Sequence, residues 1–142
     1  MNRQKPLVSV VGWLCLLAVL LALAGCTQSA PVAVEIAYRN HPPVREVLTD
    51  VDKLLAKYDK QVKVTRYDID TPEGEAFLNK MKVTDPTVLA VFIDGSLAFQ
   101  QGEQQVQFIS FPVGKGTAMT KAGNWTLEDL DAALAQATAS KK

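Results

Sequence analysis

The stretch from Tyr38 to Arg45 contains the residue types best suited to chemistry. A strand pattern ends there and an amphipathic helix pattern begins. His41, the single histidine of the chain, lies in this stretch, and the acidic Glu35 precedes it by six residues. A histidine can transfer protons or bind ligands near physiological pH. The positive end of a helix disfavours the histidine cation, whereas a nearby carboxylate favours it. One hypothesis is therefore an enzyme that transfers protons through His41 and Glu35 and needs no cysteine thiol.

The same residues also fit a plainer interpretation. One histidine and one acid fall short of the combined nucleophile, base and charge-stabilising groups of an active site. Zinc sites usually take three or four protein ligands, and the chain has no second histidine. We therefore expect no catalytic residues, no metal and no cofactor, with His41 occupying the surface of the turn.

The elements that position this turn follow an N-terminal segment of different character. A basic start at Met1–Lys5 is followed by an almost wholly apolar run from Leu7 to Ala24. This order is typical of a secretion signal that is removed from the mature protein. The residues Leu23-Ala24-Gly25-Cys26 resemble the lipobox of bacterial lipoproteins, in which the chain is cut before the cysteine and the cysteine is acylated. The resemblance implies a signal peptide over 1–25 and a lipidated tether over 26–31.

An uncut membrane anchor is the alternative, because roughly 18 apolar residues can just span a bilayer. Both interpretations place residues 27–142 outside the cytoplasm and against a membrane, and the lipobox resemblance implies a bacterial cell envelope. The chain has two cysteines, Cys15 and Cys26. If the lipobox is processed, Cys15 leaves with the signal and the sulfur of Cys26 becomes a thioether. The mature domain would then have no thiol and no disulfide.

The charge balance argues against one class of partner. Residues 26–142 carry 13 basic and 15 acidic side chains, a formal net charge of −2. A near-neutral, slightly acidic domain is a poor binder of nucleic acid. We therefore expect no nucleic-acid partner, and the length of the chain suits one domain.

Hydrophobic periodicity predicts alternating strands and helices in the first half of the domain. Residues 32–38 alternate as in a strand, and residues 62–70 do so again. Between them, apolar residues recur at helical spacing from Val44 to Tyr58, after the prolines at 42 and 43 that suit a helix start. Thr71 is a candidate N-cap for a second helix that ends near Lys82.

The second half predicts a set of strands and one last helix. The apolar run from Val88 to Ile93 is typical of a strand buried on both faces. Turns at 94–95 and 101–102 predict strands over 96–100 and from Val106 toward Phe111. Thr126 caps the last helix, and residues 139–142 form a flexible tail. The fold class is α/β in the order β-α-β-α-β-β-α. We expect a mixed sheet of four to five strands, with a parallel first pair, an antiparallel later pair and helices on both faces.

This element order over residues 32–138 resembles the thioredoxin-like superfamily. The first helix of that family opens with Cys-x-x-Cys, where this chain has His41-Pro42-Pro43-Val44 followed by the basic Arg45. Glu35 lies at the spacing of the buried acid found in many thioredoxins. Asp85-Pro86-Thr87, just before the buried strand, resembles the cis-proline loop of the family.

The resemblance implies a thioredoxin-like fold that has lost its redox activity. Disulfide exchange requires a thiolate, which His41 and Val44 cannot supply. In the family, the cis-proline loop pairs with extended partner chains, a form of strand addition. The resemblance thus implies a protein or peptide partner, bound between His41-Pro42-Pro43 and Asp85-Pro86-Thr87. The candidate cleft residues are Glu35, His41, Pro42, Pro43, Val44, Asp85, Pro86 and Thr87.

Two other functions stay open beside this binding role. The chain could be an oxidoreductase by ancestry, against which the missing cysteines weigh heavily. It could also be a structural component of the envelope whose cleft binds nothing.

Two further motifs are interpreted structurally. Gly114-Lys115-Gly116-Thr117 lacks the spacing of a phosphate-binding loop, so we expect a plain loop. Phe108, Phe111 and Trp125 are expected in the core, because aromatic side chains bury large areas.

Overall fold

The computed structural model describes residues 29–84, 87–116 and 121–141. The predicted signal peptide, the lipid site at Cys26 and the proline loop at Asp85 and Pro86 lie outside the described residues. So does Thr117 of the glycine-containing loop. These interpretations therefore stay predictions.

Three strands form the central sheet: β1 (Val32–Tyr38), β2 (Val62–Asp68) and β3 (Leu89–Ile93). β1 lies in the middle, parallel to β2 and antiparallel to β3. Every residue of β3 is buried, which confirms the strand predicted from its unbroken apolar run. The mixed α/β class and the parallel first pair are confirmed as well.

Three α-helices are found in the described part of the chain: α1 (Pro42–Leu55), α2 (Pro72–Lys80) and α3 (Leu127–Ala139). A short 3-10 helix, Asp59–Gln61, leads into β2. The predicted stripe of α1 is buried together with α3 on one face of the sheet. α2 covers the other face, where Phe77 packs edge-on against Phe92 of β3. Helices therefore lie on both faces, as predicted.

Local capping explains where two helices begin. The Thr71 hydroxyl accepts a hydrogen bond from the Gly74 N–H at 3.2 Å. At the start of α3, Thr126 and Asp129 satisfy each other's backbone N–H groups in a capping box. Both cap residues predicted from the sequence are confirmed.

The strands after β3 differ from the prediction of one sheet of four to five strands. β4 (Ala98–Gln101) and β5 (Gln104–Gln107) form a separate antiparallel pair. The cause is a bend beyond β5, where the Ile109 N–H bonds back to the Gln107 carbonyl and Ser110 has a φ of 63°. Short contacts still join this segment to β3, since the Ser110 N–H donates to the Leu89 carbonyl at 2.8 Å. Two small sheets result in place of one.

The aromatic residues of the second half lie in the core, as expected. Phe108, Phe111 and Trp125 are each at most 1% exposed. The Trp125 ring meets Phe108 at a right angle with centroids 5.5 Å apart, and its N–H donates to the Ile109 carbonyl at 3.1 Å.

The glycine-containing loop is a turn in its described part, residues 113–116. The Lys115 ammonium donates to the Asp50 carboxylate of α1 at 2.9 Å. This hydrogen bond, together with one from Lys53, holds the pKa of Asp50 below its usual range. The lysine therefore links the loop to α1 in the manner of a surface ion pair.

Tyr58 joins the segment after α1 to α3. Its hydroxyl donates to the Asp131 carboxylate at 2.6 Å and lies 2.8 Å from the Asp131 carbonyl oxygen. Burial and the neighbouring carboxylate raise the pKa of Tyr58 to about 12. Folding thus favours the neutral form of the Tyr58 phenol over its ionised form.

This contact predicts a loss of stability at alkaline pH. The contribution of Tyr58 is fully present below the unfolded pKa of about 10 and is lost as the pH rises through the folded pKa of about 12. We expect the free energy of unfolding to fall more steeply over this window in the wild type than in Tyr58→Phe. Urea unfolding at a series of pH values checks this, and parallel pH profiles would contradict it.

Candidate functional site

Five of the residues predicted to line the cleft lie at one end of the central sheet: His41, Pro42, Pro43, Val44 and Thr87. β1 ends at Tyr38, beside the end of β2, and opposite Leu89 at the start of β3. The Arg39 N–H donates to the Val88 carbonyl at 2.8 Å, which joins the His41 turn to the segment before β3. We call this region, residues 38–45, 68–70 and 87–89, the cleft end.

The His41 turn presents a short exposed surface. His41 is the N-cap of α1, with extended backbone angles and no hydrogen bond from its side chain to the helix. Its N–H donates to the Arg39 carbonyl at 2.8 Å, which fixes the turn. His41 and Pro42 are exposed, Pro43 is half-buried, and Val44 is 2% exposed in the core. Val44 therefore positions the turn, and the three residues before it are accessible to a partner.

Thr87 fixes the approach of the chain to β3. Its side chain is 6% exposed. The hydroxyl donates to the Leu89 carbonyl at 2.7 Å and accepts from the Leu89 N–H at 3.2 Å. Thr87 therefore stabilises the start of β3 through its hydroxyl. The half-buried Val88 lies between Thr87 and the strand.

Glu35 lies apart from His41. In the register of the sheet it is opposite Phe92, and paired residues share one face of a sheet. Phe92 belongs to the cluster under α2, whereas α1 packs on the opposite face with Val34 and Ile36. Within the described residues, no hydrogen bond or ion pair joins Glu35 to His41. The geometry therefore gives no support to the proton-transfer pair that was one hypothesis.

Charged and polar residues outside the predicted cleft set surround the turn. Arg39 donates to the carboxylate of Asp70 at 3.0 Å, and Arg45 donates to the side-chain oxygen of Asn40 at 3.2 Å. Asp70 lies 31 residues from Arg39 and reaches it because β1 and β2 run parallel. The predicted parallel pairing was the signal that could have placed Asp70 here. These groups give the cleft end a polar rim around an exposed proline.

A large cavity lies at the opposite end of the central sheet. It measures about 400 Å³ and is bounded by α3, β4 and the turn that follows β3. Phe99, Phe108 and Ala133 supply apolar walls, and Asp94 and Lys141 lie at its margin. None of the described cleft residues lines it.

Two absences apply to the described residues. Among residues 29–84, 87–116 and 121–141, no group of three or more His, Cys, Asp or Glu side chains could hold a metal ion. Within the same ranges, no helix combines the length and the apolar composition needed to cross a bilayer.

Comparisons with known proteins give no relatives for this chain. It matches no protein-family model, and it has no significant match among curated proteins or solved structures.

Proposed function

We propose that this chain is a membrane-anchored extracytoplasmic lipoprotein whose thioredoxin-like domain binds a protein or peptide partner at the cleft end, without redox chemistry. The observation that carries the proposal is the hydrogen bond from the Arg39 N–H to the Val88 carbonyl. It joins the exposed His41-Pro42 turn to Val88, which follows the Asp85-Pro86-Thr87 stretch that resembles the partner-binding loop of the family.

The arrangement of elements supports the thioredoxin-like part of the proposal. A parallel strand pair, an antiparallel third strand and helices on both faces are what the resemblance implies. The His41-Pro42-Pro43-Val44 stretch opens the helix after β1, where the family places its reactive cysteines. Glu35 departs from the resemblance, because it lies on the face covered by α2 and, among the described residues, makes no contact with the His41 turn through a hydrogen bond or ion pair.

The absence of a suitable thiol supports a non-redox role. Cys15 and Cys26 are the two cysteines of the sequence, and none follows residue 26. Disulfide exchange needs a thiolate at the reacting site. An oxidoreductase therefore lacks its nucleophile at the cleft end.

The geometry favours binding over a thiol-independent enzyme. A general base must come within hydrogen-bonding reach of the proton that it removes. Glu35 lies on the face covered by α2, whereas His41 begins α1 on the other face, and no hydrogen bond joins the two side chains within the described residues. The exposed Pro42 with polar groups around it, in contrast, matches on a small scale the apolar centre and polar rim of sites that bind proteins.

A substitution at position 41 separates binding from folding. The N-cap His41 makes no cap bond, whereas an aspartate there can accept from the N–H of Val44. We expect His41→Asp to raise the free energy of unfolding by about 1 kcal/mol. We expect the same variant to weaken peptide binding at least several-fold, because it replaces the ring with a carboxylate on the partner surface.

Display of a random peptide library against the full-length protein in detergent measures this effect. The matched control is Glu103→Gln, which alters an exposed side chain in the β4–β5 turn. Peptides selected by the wild type should bind the control equally and His41→Asp poorly. Equal binding to all three proteins would place the partner surface elsewhere. A library without any selected peptide would favour the structural role.

A further inference from the structure

The predicted tether lies against the domain before it reaches Cys26. Ser29, Ala30 and Pro31 line a groove with Lys60 and the end of α3. The Lys141 ammonium lies 3.4 Å from the Pro31 carbonyl and 2.9 Å from the Asp94 carboxylate. Although burial pushes the pKa of Asp94 upward, hydrogen bonds from Lys141 and the Ala33 N–H hold it below its usual range. The chain therefore leaves the domain at a defined place.

The length of chain beyond this groove limits how far the domain can stand from the lipid. Three residue steps separate Cys26 from Ser29. An extended chain spans at most about 3.6 Å per residue, so about 11 Å separates the two at full extension. A lipid on Cys26 would keep this side of the domain close to the headgroups.

This side, which we call the tether end, consists of residues 29–31, 56–63, 94–96 and 137–141. It carries Lys57, Lys60, Lys63 and Lys141 against Asp59 and Asp94, a net charge of +2, which falls to +1 when Asp131, the ion-pair partner of Lys57, is included. The other described residues carry eight basic and twelve acidic side chains, a net charge of −4. The tether end is therefore positive on a domain that is otherwise negative.

The availability of these lysines differs. Lys57 and Lys141 form ion pairs with Asp131 and Asp94, at 3.5 and 2.9 Å. Lys60 and Lys63 are exposed, and neither forms an ion pair within the described ranges. Lys60 also lines the groove that is bordered by the tether residues Ser29, Ala30 and Pro31. The two lysines best placed to meet an external anion are thus Lys60 and Lys63.

The cleft end faces away from this surface. β1 begins at Val32, next to the tether, and ends at Tyr38, next to the His41 turn. At about 3.3 Å per residue, its seven residues span about 20 Å. A domain that rests on its tether end with β1 along the membrane normal therefore holds His41 about 20 Å farther from the membrane.

We infer that the tether end docks on anionic lipid headgroups through Lys60 and Lys63, and so presents the cleft end outward. This inference rests on the lipid anchor of the proposed function. Lysines near an anionic membrane surface are attracted within about one Debye length. A lipid anchor alone leaves the domain free to tumble, whereas headgroup contact gives it one orientation.

Energy transfer to an acceptor on lipid headgroups tests the orientation. The full-length lipidated protein is labelled at Gln61→Cys, at the tether end, or at Glu73→Cys, near the start of α2. It is reconstituted into phosphatidylcholine vesicles with or without phosphatidylglycerol. With the anionic lipid, we expect transfer from position 61 to exceed transfer from position 73 several-fold. Raising the salt from about 0.1 to 1 M shortens the Debye length from about 10 to 3 Å and should reduce the difference.

Two double variants supply the matched comparison. Lys60→Gln with Lys63→Gln should remove the effect of the anionic lipid at position 61. Lys115→Gln with Lys121→Gln makes the same change in charge away from the tether end and should preserve it. Equal transfer from positions 61 and 73, or indifference to the anionic lipid, would overturn the inference.

Flotation of the protein with vesicles distinguishes loss of the headgroup contact from loss of the lipid anchor. A lipidated protein floats with vesicles of either composition, and its headgroup contact is then decided by the energy transfer. If the protein stays unbound with both compositions, the anchor and the inference fail together. If it floats with anionic vesicles alone, the headgroup contact holds and the anchor fails.

Discussion

Replacing Cys26 with serine is expected to remove all lipid mass from the protein, whether or not the apolar run from Leu7 to Ala24 stays uncut. A serine has no sulfur to carry a thioether-linked lipid. Acyl burial contributes about 0.8 kcal/mol per CH₂, and a single chain binds only marginally, so stable attachment depends on several chains. Loss of the modified residue removes all of them at once.

Cell fractionation followed by mass analysis checks this prediction. Cys15→Ser is the control, since that residue lies within the apolar run and should not affect attachment. A mature chain that begins at Cys26 and carries lipid mass would establish the anchor. A wild-type chain with an intact N-terminus and no lipid mass would instead indicate an uncut helix.

Trp125→Ala is expected to cause the largest loss of stability among single substitutions in the aromatic core. Trp125 is fully buried, packs edge-on against Phe108 and donates to the Ile109 carbonyl. Truncation of a buried tryptophan costs about 3–5 kcal/mol, from lost burial and the cavity left behind. Because the segment after Ile109 bonds to Leu89 at the start of β3, the loss should also loosen the cleft end.

Urea unfolding followed by far-ultraviolet circular dichroism measures the effect without relying on tryptophan emission. Trp125→Phe keeps an aromatic ring but removes the N–H, so we expect a smaller loss than for alanine. Val113→Ala changes a side chain that is 56% exposed and should have almost no effect. A loss below about 1 kcal/mol for Trp125→Ala would mean that this ring does not support the core as described.

The sequence predicted those parts of the fold that depend on local pattern. The apolar spacing of α1, the unbroken run of β3 and the capping residue Thr126 each act over a few positions, so they are readable without tertiary information. The parallel pair followed from the helix between two strands. Thr71 was predicted as a cap for the same local reason.

The parts that were missed depend on long-range geometry. The bend after Gln107 divides the sheets, and the positive φ at Ser110 belongs to a residue with no strong preference for it. The contact between Tyr58 and Asp131 joins residues 73 positions apart. The face occupied by Glu35 follows from its register with Phe92, which spacing relative to His41 does not reveal.

In the candidate cleft, too, the features that depend on local pattern were predictable and those that depend on long-range pairing were not. Its exposed residues His41 and Pro42 follow from the strand-to-helix turn, and Thr87 from the start of a buried strand. The burial of Val44 follows from the apolar stripe on which it lies. The ion pair between Arg39 and Asp70 required the parallel register of β1 and β2.

The most direct test of the central claim is photo-crosslinking from position 41 in intact cells, with capture identified by mass spectrometry. Position 103, exposed in the β4–β5 turn, carries the same crosslinker as the control. We predict one dominant protein captured from position 41 and absent from position 103, with capture preserved in Lys60→Gln/Lys63→Gln. Equal capture from both positions, or none from position 41, would contradict a partner at the cleft end.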